Sequence, residues 1–242
     1  MNLILFSLED LKRPLSREDP RAEHILSVLN TEPGQTFDVG QFNGPRGKAT
    51  LISVNSDSLN LSFIWDMEIL SLYPIDLWVS FCRPQTCRRV LQECTSLGVR
   101  SITFFYTEKC EPSYRDSRLW STGEAERLLI RGAEQAFCTQ VPELGLDASL
   151  QNVLAKRQRQ GTSLALDNYE STETLGRRKT PTLPVTLAVG GERGWSSMER
   201  HALRDAGFSL VDLGSRILRT ETACIAAISI LRIQISEGLS HP

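Results

Sequence analysis

The sequence predicts an α/β protein with a parallel sheet, preceded by a small β-rich module. From about residue 75 onward, apolar strands alternate with helices, a pattern typical of a parallel sheet covered by helices on both faces. Before residue 70, short runs with partial alternation are separated by turn-forming segments. Apolar residues make up 40% of the 242 and charged residues 23%, which permits a sizeable core. We therefore expect two domains, 1–70 and 71–242.

The N-terminal module contains three predicted strands, "QTFDVG", "KATLISV" and "LNLSFIW", separated by the turn compositions "FNGPRG" and "NSDS". Between the opening strand and this group, "DPRAEHILSVLNTEPG" predicts a short helix, with Asp19 as N-cap and Pro20 at the first helical position. Several short strands with one helix can close into a small barrel, because closure removes exposed edges.

The larger domain begins with the strand "IDLWVSFC" and the helix "PQTCRRVLQECTSLG", which Gly98 ends. The strand "VRSITFFYT" and the helix "STGEAERLLIRGAEQAF" follow, the helix capped at Ser121 or Thr122. Three further strands are "SLALDN", "VTLAVGG" and "FSLVDLG", with helices after the last two. Residues 151–181 are polar and basic around one short strand, and we expect them to form exposed loops.

Composition and charge exclude several classes of protein. No apolar stretch reaches the roughly 20 residues that span a membrane, and "MNLILFSLEDL" turns acidic too soon for a secretory signal, so we expect a cytoplasmic protein. The six cysteines form no CxxC pair and the three histidines lie far from them, which predicts reduced thiols and no metal site. The net charge of −2 excludes a strongly basic surface, yet 22 of the 27 basic residues are arginine, which suits phosphate contacts.

The first informative segment is "VTLAVGGERGWSSMERHALRDAGF". Its strand runs into Gly190, Gly191 and Gly194, and Ser196 and Glu199 stand three apart as a capping box. Glycines at the carboxyl end of a strand allow a ligand to approach backbone N–H groups, with a helix N-terminus behind them. The same residues also fit a tight turn with a capped helix, and the segment is neither a GxGxxG fingerprint nor a P-loop.

The second informative segment is "LGSRILRTETA", which joins the strand "FSLVDLG" to the helix "RTETACIAAISILRIQI". An N-cap explains Thr220 or Thr222. It does not explain Arg219 and Glu221 beside the carboxyl edge of the predicted sheet, where the ligand sites of open α/β sheets lie.

Together the two segments closely resemble the C-terminal signature of the bacterial 16S ribosomal RNA uracil-N3 methyltransferase family, in the SPOUT superfamily. That family carries a Gly-Pro-Glu-Gly-Gly-Phe-Ser run followed by a Leu-Gly-x-Arg-Ile-Leu-Arg-Thr-Glu-Thr-Ala run. The runs "RGAEQAF", "TSLGV" and "HILSVL" extend the resemblance over nearly the whole chain.

The resemblance implies transfer of a methyl group from S-adenosylmethionine to N3 of a uridine in small-subunit ribosomal RNA. It implies a PUA-like β-barrel that binds RNA in residues 1–70. Residues 71–242 would form a SPOUT methyltransferase domain whose last segment threads a trefoil knot. It also implies a homodimer that acts on ribosomal RNA or on the small ribosomal subunit.

The same resemblance implies the residues of the site. The donor would be held at three strand-end loops, by Leu166, Asp167, Val189, Gly190, Gly191, Glu192, Gly194, Leu213, Gly214, Ile217 and Leu218. Arg219 would orient the base or stabilise the charge that develops on it, and Glu221 or Glu134 would orient or deprotonate it. The residues that would contact RNA are Arg21, Arg46, Lys48, Gln135, Arg193 and Arg216.

Some positions depart from the family pattern. Gly191 stands where the family has proline and Arg193 where it has glycine. Asn30, Glu93 and Cys138 replace basic residues at positions that face RNA by the resemblance. Two alternatives therefore stay open: the same enzyme class with a different RNA target, or a catalytically inactive paralogue that binds RNA or the ribosome.

Overall fold

The computed structural model describes residues 3–66 and 69–240, with side chains up to 236. The chain divides into two compact units. The first comprises residues 1–71 and 133–141, and the second comprises 72–132 and 142–242. The segment 133–141 lies outside the predicted domain 1–70.

The first unit is built on a five-stranded sheet. Its strands are β1 (Ile4–Phe6), β2 (Leu15–Ser16), β3 (Thr36–Gln41), β4 (Arg46–Val54) and β5 (Ser58–Trp65). The strand order is β1-β3-β4-β5-β2, with β1 parallel to β3 and the other pairs antiparallel. The fully buried core includes Phe6, Ile25, Val39, Leu51 and Leu59.

The predicted helix of this unit begins where the sequence places it. Helix α1 (Pro20–Glu23) has Pro20 at its first position, and the Asp19 side chain accepts a hydrogen bond from the backbone N–H of Arg21. A π-helical turn over His24–Val28 continues the helix and buries Ile25. The cap prediction is confirmed, and the helical segment extends through Val28, although its second half is π-helical.

The second unit contains the predicted parallel sheet. Its strands are β6 (Tyr73–Ser80), β7 (Val99–Phe105), β8 (Glu143–Leu146), β9 (Thr162–Leu166), β10 (Glu173–Thr174), β11 (Val185–Val189) and β12 (Ser209–Asp212). All of them pair in parallel, in the order β10-β12-β9-β11-β6-β7-β8. The strand β11 is buried along its whole length, as a central strand between two helical layers requires.

Five helices accompany the sheet: α2 (Pro84–Ser96), α3 (Glu124–Gln135), α4 (Leu150–Lys156), α5 (Ser197–Asp205) and α6 (Thr220–Ser240). Helix α6 packs against α2 and β11. Its buried side chains include Cys224, Ala227, Ile228 and Leu231, which share one helical face. No helix in the described ranges 3–66 and 69–240 is both long and apolar enough to cross a membrane.

Two local expectations are wrong. Residues 150–156 form helix α4 instead of an exposed loop, because Leu150 and Val153 pack into the core and the Ser149 hydroxyl accepts a hydrogen bond from the N–H of Asn152. Helix α3 begins at Glu124, and among the described residues no backbone N–H of its first turn donates to the hydroxyl of Ser121 or Thr122; Thr122 Oγ1 donates to the carbonyl of Arg118.

Candidate active site

Three neighbouring strands of the second unit open into one cavity of about 610 Å³. Strands β12, β9 and β11 lie side by side and run parallel, so their carboxyl ends meet at the same edge of the sheet. Fourteen predicted site residues line the cavity: Leu166, Asp167, Val189, Gly190, Gly191, Glu192, Arg193, Gly194, Leu213, Arg216, Ile217, Leu218, Arg219 and Glu221.

The loop after β11 presents bare backbone to the cavity. A Cβ atom at Gly190 would lie 3.3 Å from the backbone of Gly194 and 3.3 Å from the ring of Trp195. Gly194 adopts a φ of +62°, a conformation that favours glycine. The three strand-end glycines therefore permit a tight turn whose peptide groups a ligand can approach.

Trp195 and Lys109 hold this loop in place. The indole Nε1 of Trp195 donates a 2.9 Å hydrogen bond to the carbonyl of Leu166, and the ring stacks on Phe105 at 6.4 Å between centroids. Lys109 Nζ donates to the carbonyl of Trp195 at 2.9 Å. The loop after β11 is thus tied to the end of β9 by a side chain that is 1% exposed.

The predicted capping box is confirmed at the start of α5. Ser196 Oγ accepts a hydrogen bond from the N–H of Glu199 at 3.2 Å, and Glu199 Oε2 accepts one from the N–H of Ser196 at 2.8 Å. Glu199 Oε1 also accepts from the N–H of Glu108 at 2.8 Å. One buried carboxylate therefore fixes both the helix start and the loop that follows β7.

The loop after β9 is organised by a buried ion pair between Asp167 and Arg200. Asp167 Oδ2 accepts a hydrogen bond from Arg200 Nε, and the two side chains are 1% and 8% exposed. Asp167 Oδ1 accepts the backbone N–H groups of Tyr169 at 2.5 Å and Glu170 at 2.9 Å. The carboxylate of Asp167 consequently shapes the cavity wall from within the protein.

The loop after β12 brings a cation and a carboxylate to the same cavity. Glu221, in the first turn of α6, is 7% exposed, and its Oε1 lies 3.4 Å from Nη1 of Arg89. Arg219 and Arg216 are exposed. Across the described part of the chain, neither guanidinium has a hydrogen bond or ion pair with the protein, so both remain able to bind a ligand.

Several predicted site residues do not line this cavity. Gly214 instead lines a neighbouring cavity of about 400 Å³ beside the end of β12. Glu134 and Gln135 belong to the first unit, where Glu134 Oε1 accepts a hydrogen bond from the N–H of Leu5 at 3.1 Å. The catalytic role of Glu134 stays a prediction.

The cations predicted to bind RNA from the first unit are Arg21, Arg46 and Lys48. The guanidinium of Arg21 binds Asp19 at 2.7 Å and Asp10 at 2.9 Å and also donates to the carbonyl of Leu5. Burial lowers the pKa of Arg21, but the hydrogen bonds to the two carboxylates outweigh it and raise the pKa above its ordinary value. Because most of its N–H groups are engaged inside the unit, Arg21 has little left for a phosphate.

Lys48 pairs with Asp38 at 2.7 Å through exposed side chains, a kind of contact that contributes little stability. Arg46 lies two residues before it on the same strand and the same face. Their contact with RNA stays a prediction.

The cavity also contains residues that the sequence reasoning missed. They are Arg83, Thr86, Tyr169, Trp195, Arg200, Thr220 and Ala223. Trp195 follows the glycine run directly, so its neighbours in the sequence could have indicated it. Arg200 gave no such signal, since its partner lies 33 positions away and meets it only through the sheet.

The volume and the lining residues indicate a site for a small molecule, with cationic side chains at its rim that suit an anionic group next to that molecule. About 610 Å³ lies within the range of cofactor sites. The exposed guanidinium groups of Arg193, Arg216 and Arg219 at the rim suit phosphate oxygens. In the described ranges, no group of three or more His, Cys, Asp or Glu side chains could hold a metal ion.

Comparison with known proteins points in the same direction. Residues 70–232 match the family model of the RNA methyltransferase domain. The chain is 35% identical to ribosomal RNA small subunit methyltransferase E of Treponema pallidum, over 96% of this chain and 90% of the relative. It is 28% identical to ribosomal RNA small subunit methyltransferase E 1 of Borreliella burgdorferi, over 94% and 95%. A crystal structure of the Neisseria gonorrhoeae enzyme bound to S-adenosyl methionine superposes with a TM-score of 0.79, at 25% identity, over 96% of this chain and 97% of that one.

Proposed function

The chain belongs to the ribosomal RNA small subunit methyltransferase E family of RNA methyltransferases, and we propose that it methylates N3 of a uridine in 16S ribosomal RNA with S-adenosylmethionine as donor. One observation carries the proposal: three strand-end loops, one of them bare glycine backbone, enclose a cavity that also contains Arg219 and Glu221. The first feature suits a donor, and the second suits an acceptor base.

The residues present fit the donor. A Cβ atom at Gly190 would lie 3.3 Å from the Gly194 backbone, closer than an ordinary van der Waals contact, so a larger residue at this position would push on the turn. Apolar atoms of Leu166, Val189 and Leu218 line the same space and suit an adenine ring. When bound, S-adenosylmethionine supplies an electrophilic methyl group on a sulfonium.

The side chains in the segment after β12 would act on the acceptor, the uracil base. Uracil N3 carries a proton and becomes nucleophilic as that proton leaves, which places negative charge on the two ring carbonyl oxygens. Arg219, exposed at the cavity and without a partner in the part of the chain that the structure describes, would orient the base and stabilise that charge. Glu221 lines the same cavity and would accept the proton or orient the ring.

Nucleoside mass spectrometry after incubation with 16S ribosomal RNA, or with small subunits, and labelled donor tests this proposal. Wild-type protein should produce 3-methyluridine, and Arg219→Ala should abolish it while its donor affinity stays within about threefold. Arg204→Gln is the matched control, since Arg204 is a partly exposed arginine of α5 outside the cavity lining.

Donor binding separates the possible failures. Gly190→Ala should weaken donor binding at least about tenfold, because its Cβ atom would press on the turn. A wild-type protein that binds no donor would refute the enzyme assignment. Donor binding without transfer to small-subunit RNA would support the alternatives, another RNA target or an inactive RNA-binding paralogue.

We also propose that the end of the chain forms the trefoil knot of the SPOUT fold. Two observations support it. After β12, the chain returns across the sheet so that α6 packs against α2 and β11. The Nε2 atom of Gln234 on α6 donates to the carbonyls of Leu175 and Arg178, in the segment that joins β9 to β11, at 3.2 Å each.

For the first unit we propose a PUA-like barrel that binds RNA. Its support is the five-stranded sheet around one core, with Arg46 and Lys48 on the same face of β4. In the second unit, Arg193 and Arg216 at the cavity rim would contact phosphates beside the acceptor. The protein would act in the cytoplasm, where ribosomal RNA is processed.

A homodimer is part of the proposal and rests on the outer face of α6. Ala226, Ser229, Ile230 and Ile233 recur at helical spacing on this face, and Ile233 is 60% exposed. A second copy would cover this stripe. Light scattering should give twice the chain mass for wild type and a smaller mass for Ile233→Asp, whereas a wild-type monomer would refute the dimer.

A further inference from the structure

Two exposed apolar side chains lie where two cavities of the second unit adjoin. Tyr169 is 76% exposed and Ile217 is 77% exposed. Both line the main cavity, and both also line the neighbouring cavity of about 400 Å³, whose other walls include Asp212 and Gly214. Single exposed apolar residues are common, but a pair at the boundary of two cavities marks a place where something apolar can bind.

The ring of Tyr169 is held in position although it is exposed. Its backbone N–H donates to Asp167 Oδ1 at 2.5 Å, which fixes the turn that carries it. On one side of the ring, the guanidinium carbon of Arg200 lies 5.2 Å from the centroid. Arg200 is itself buried and paired with Asp167 and Glu170. An aromatic ring held on a rigid support loses little conformational entropy when a ligand stacks on it.

We propose that Tyr169 is a stacking surface for the acceptor base. This inference rests on the proposed function and extends it to the recognition of the RNA. The donor is expected in the part of the main cavity enclosed by strand-end backbone, whereas the acceptor must arrive from solvent and lie beside it. A uracil taken out of its RNA stack loses its neighbours, and an aromatic face replaces that stacking whatever the sequence around it.

The charges around Tyr169 agree with an RNA ligand. Arg216, Ile217 and Arg219 belong to the loop after β12, which forms another wall of the main cavity, so exposed cations lie on both sides of the exposed Ile217 in the sequence. A nucleotide combines an apolar base face with an anionic phosphate, and this wall offers a partner for each.

Steady-state methylation with Tyr169→Ala and Tyr169→Phe tests the inference, with Met198→Ala as the control. Met198 is 75% exposed on α5 and does not line either cavity. Tyr169→Ala should raise KM for 16S ribosomal RNA or small subunits by about tenfold or more, the effect of losing one base–aromatic stack. Tyr169→Phe should recover most of the loss, and the dissociation constant for S-adenosylmethionine should change by less than about twofold in both variants.

Two results would overturn the inference: an unchanged KM for RNA in Tyr169→Ala, or a loss that falls on donor affinity instead. If wild-type protein transfers no methyl group, the proposed function fails separately. The stack is then tested by fluorescence titration of a labelled uridine-containing oligonucleotide. Weaker binding by Tyr169→Ala than by Met198→Ala would support the stack, and equal binding would refute it.

Discussion

Replacing Arg200 by methionine should destabilise the second unit and loosen the donor cavity together. Arg200 and Asp167 are 8% and 1% exposed, so the replacement leaves a buried carboxylate without its cation. Breaking a buried ion pair from one side costs about 3–5 kcal/mol. Asp167 keeps two backbone N–H donors, from Tyr169 and Glu170, so we expect a cost near the lower end of that range.

A loss of about 3 kcal/mol corresponds to a fall in Tm of about 6–12 °C for a domain of this size. Differential scanning calorimetry measures it, and titration with S-adenosylmethionine shows whether the loop after β9 still supports binding. The matched control is Arg204→Met, one turn further along α5. Arg204 pairs with Glu170 at 2.7 Å with both side chains 39% exposed, so its loss should cost less than about 1 kcal/mol. Equal shifts in the two variants would refute the reasoning, since burial would then make no difference.

Four further predictions concern separate parts of the chain. Ser196→Ala removes one half of the capping box and should lower the free energy of unfolding by about 1 kcal/mol in urea denaturation. Hydrogen bonding to Arg21 holds the pKa of Asp10 well below its ordinary value of 3.8. This carboxylate therefore stabilises the first unit above about pH 4, and its contribution is lost as the pH falls. Asp10→Asn should flatten that part of the curve of stability against pH. Burial raises the pKa of the Cys110 thiol from 9.0 to about 11, which leaves about a hundredfold less thiolate at pH 8, and mass spectrometry should show slow alkylation by iodoacetamide until the protein is denatured. Arg216→Gln should reduce the slope of log K against log salt for RNA binding by about 0.7–0.9, whereas an unchanged slope would mean that Arg216 contacts no phosphate.

The sequence predicted the parts of the site that depend on local chain geometry. A strand that ends in glycines, followed by a Ser-x-x-Glu capping box, specifies its own turn and helix start, and the structure confirms the turn at Gly194 and the helix start at Ser196. Strands β9, β11 and β12 were also predictable, because apolar runs next to turn residues define them. Since parallel strands share one carboxyl edge, the convergence of the three loops followed from the fold class.

The parts that the sequence did not predict depend on contacts between distant residues. The resemblance implied that Asp167 helps to hold the donor, but its buried ion pair with Arg200 was not predicted, because the two residues meet only through tertiary packing. Helix α4 was not predicted from the sequence for a similar reason. Its two buried residues, Leu150 and Val153, lie on a helix of only seven residues, and the core that they contact is formed by other elements.

The charge distribution indicates how the two units would share the binding of RNA. In the first unit, Arg21 is neutralised by two carboxylates and Lys48 by one, and residues 1–68 carry six basic and ten acidic side chains. At the rim of the donor cavity, Arg216 and Arg219 have no such partners within the described chain. Attraction for phosphates is long-range and depends on unpaired charge, so it would act mainly at the cavity. Under the proposal that the first unit also binds RNA, it would contribute shape and hydrogen bonding without adding much to the salt-dependent affinity.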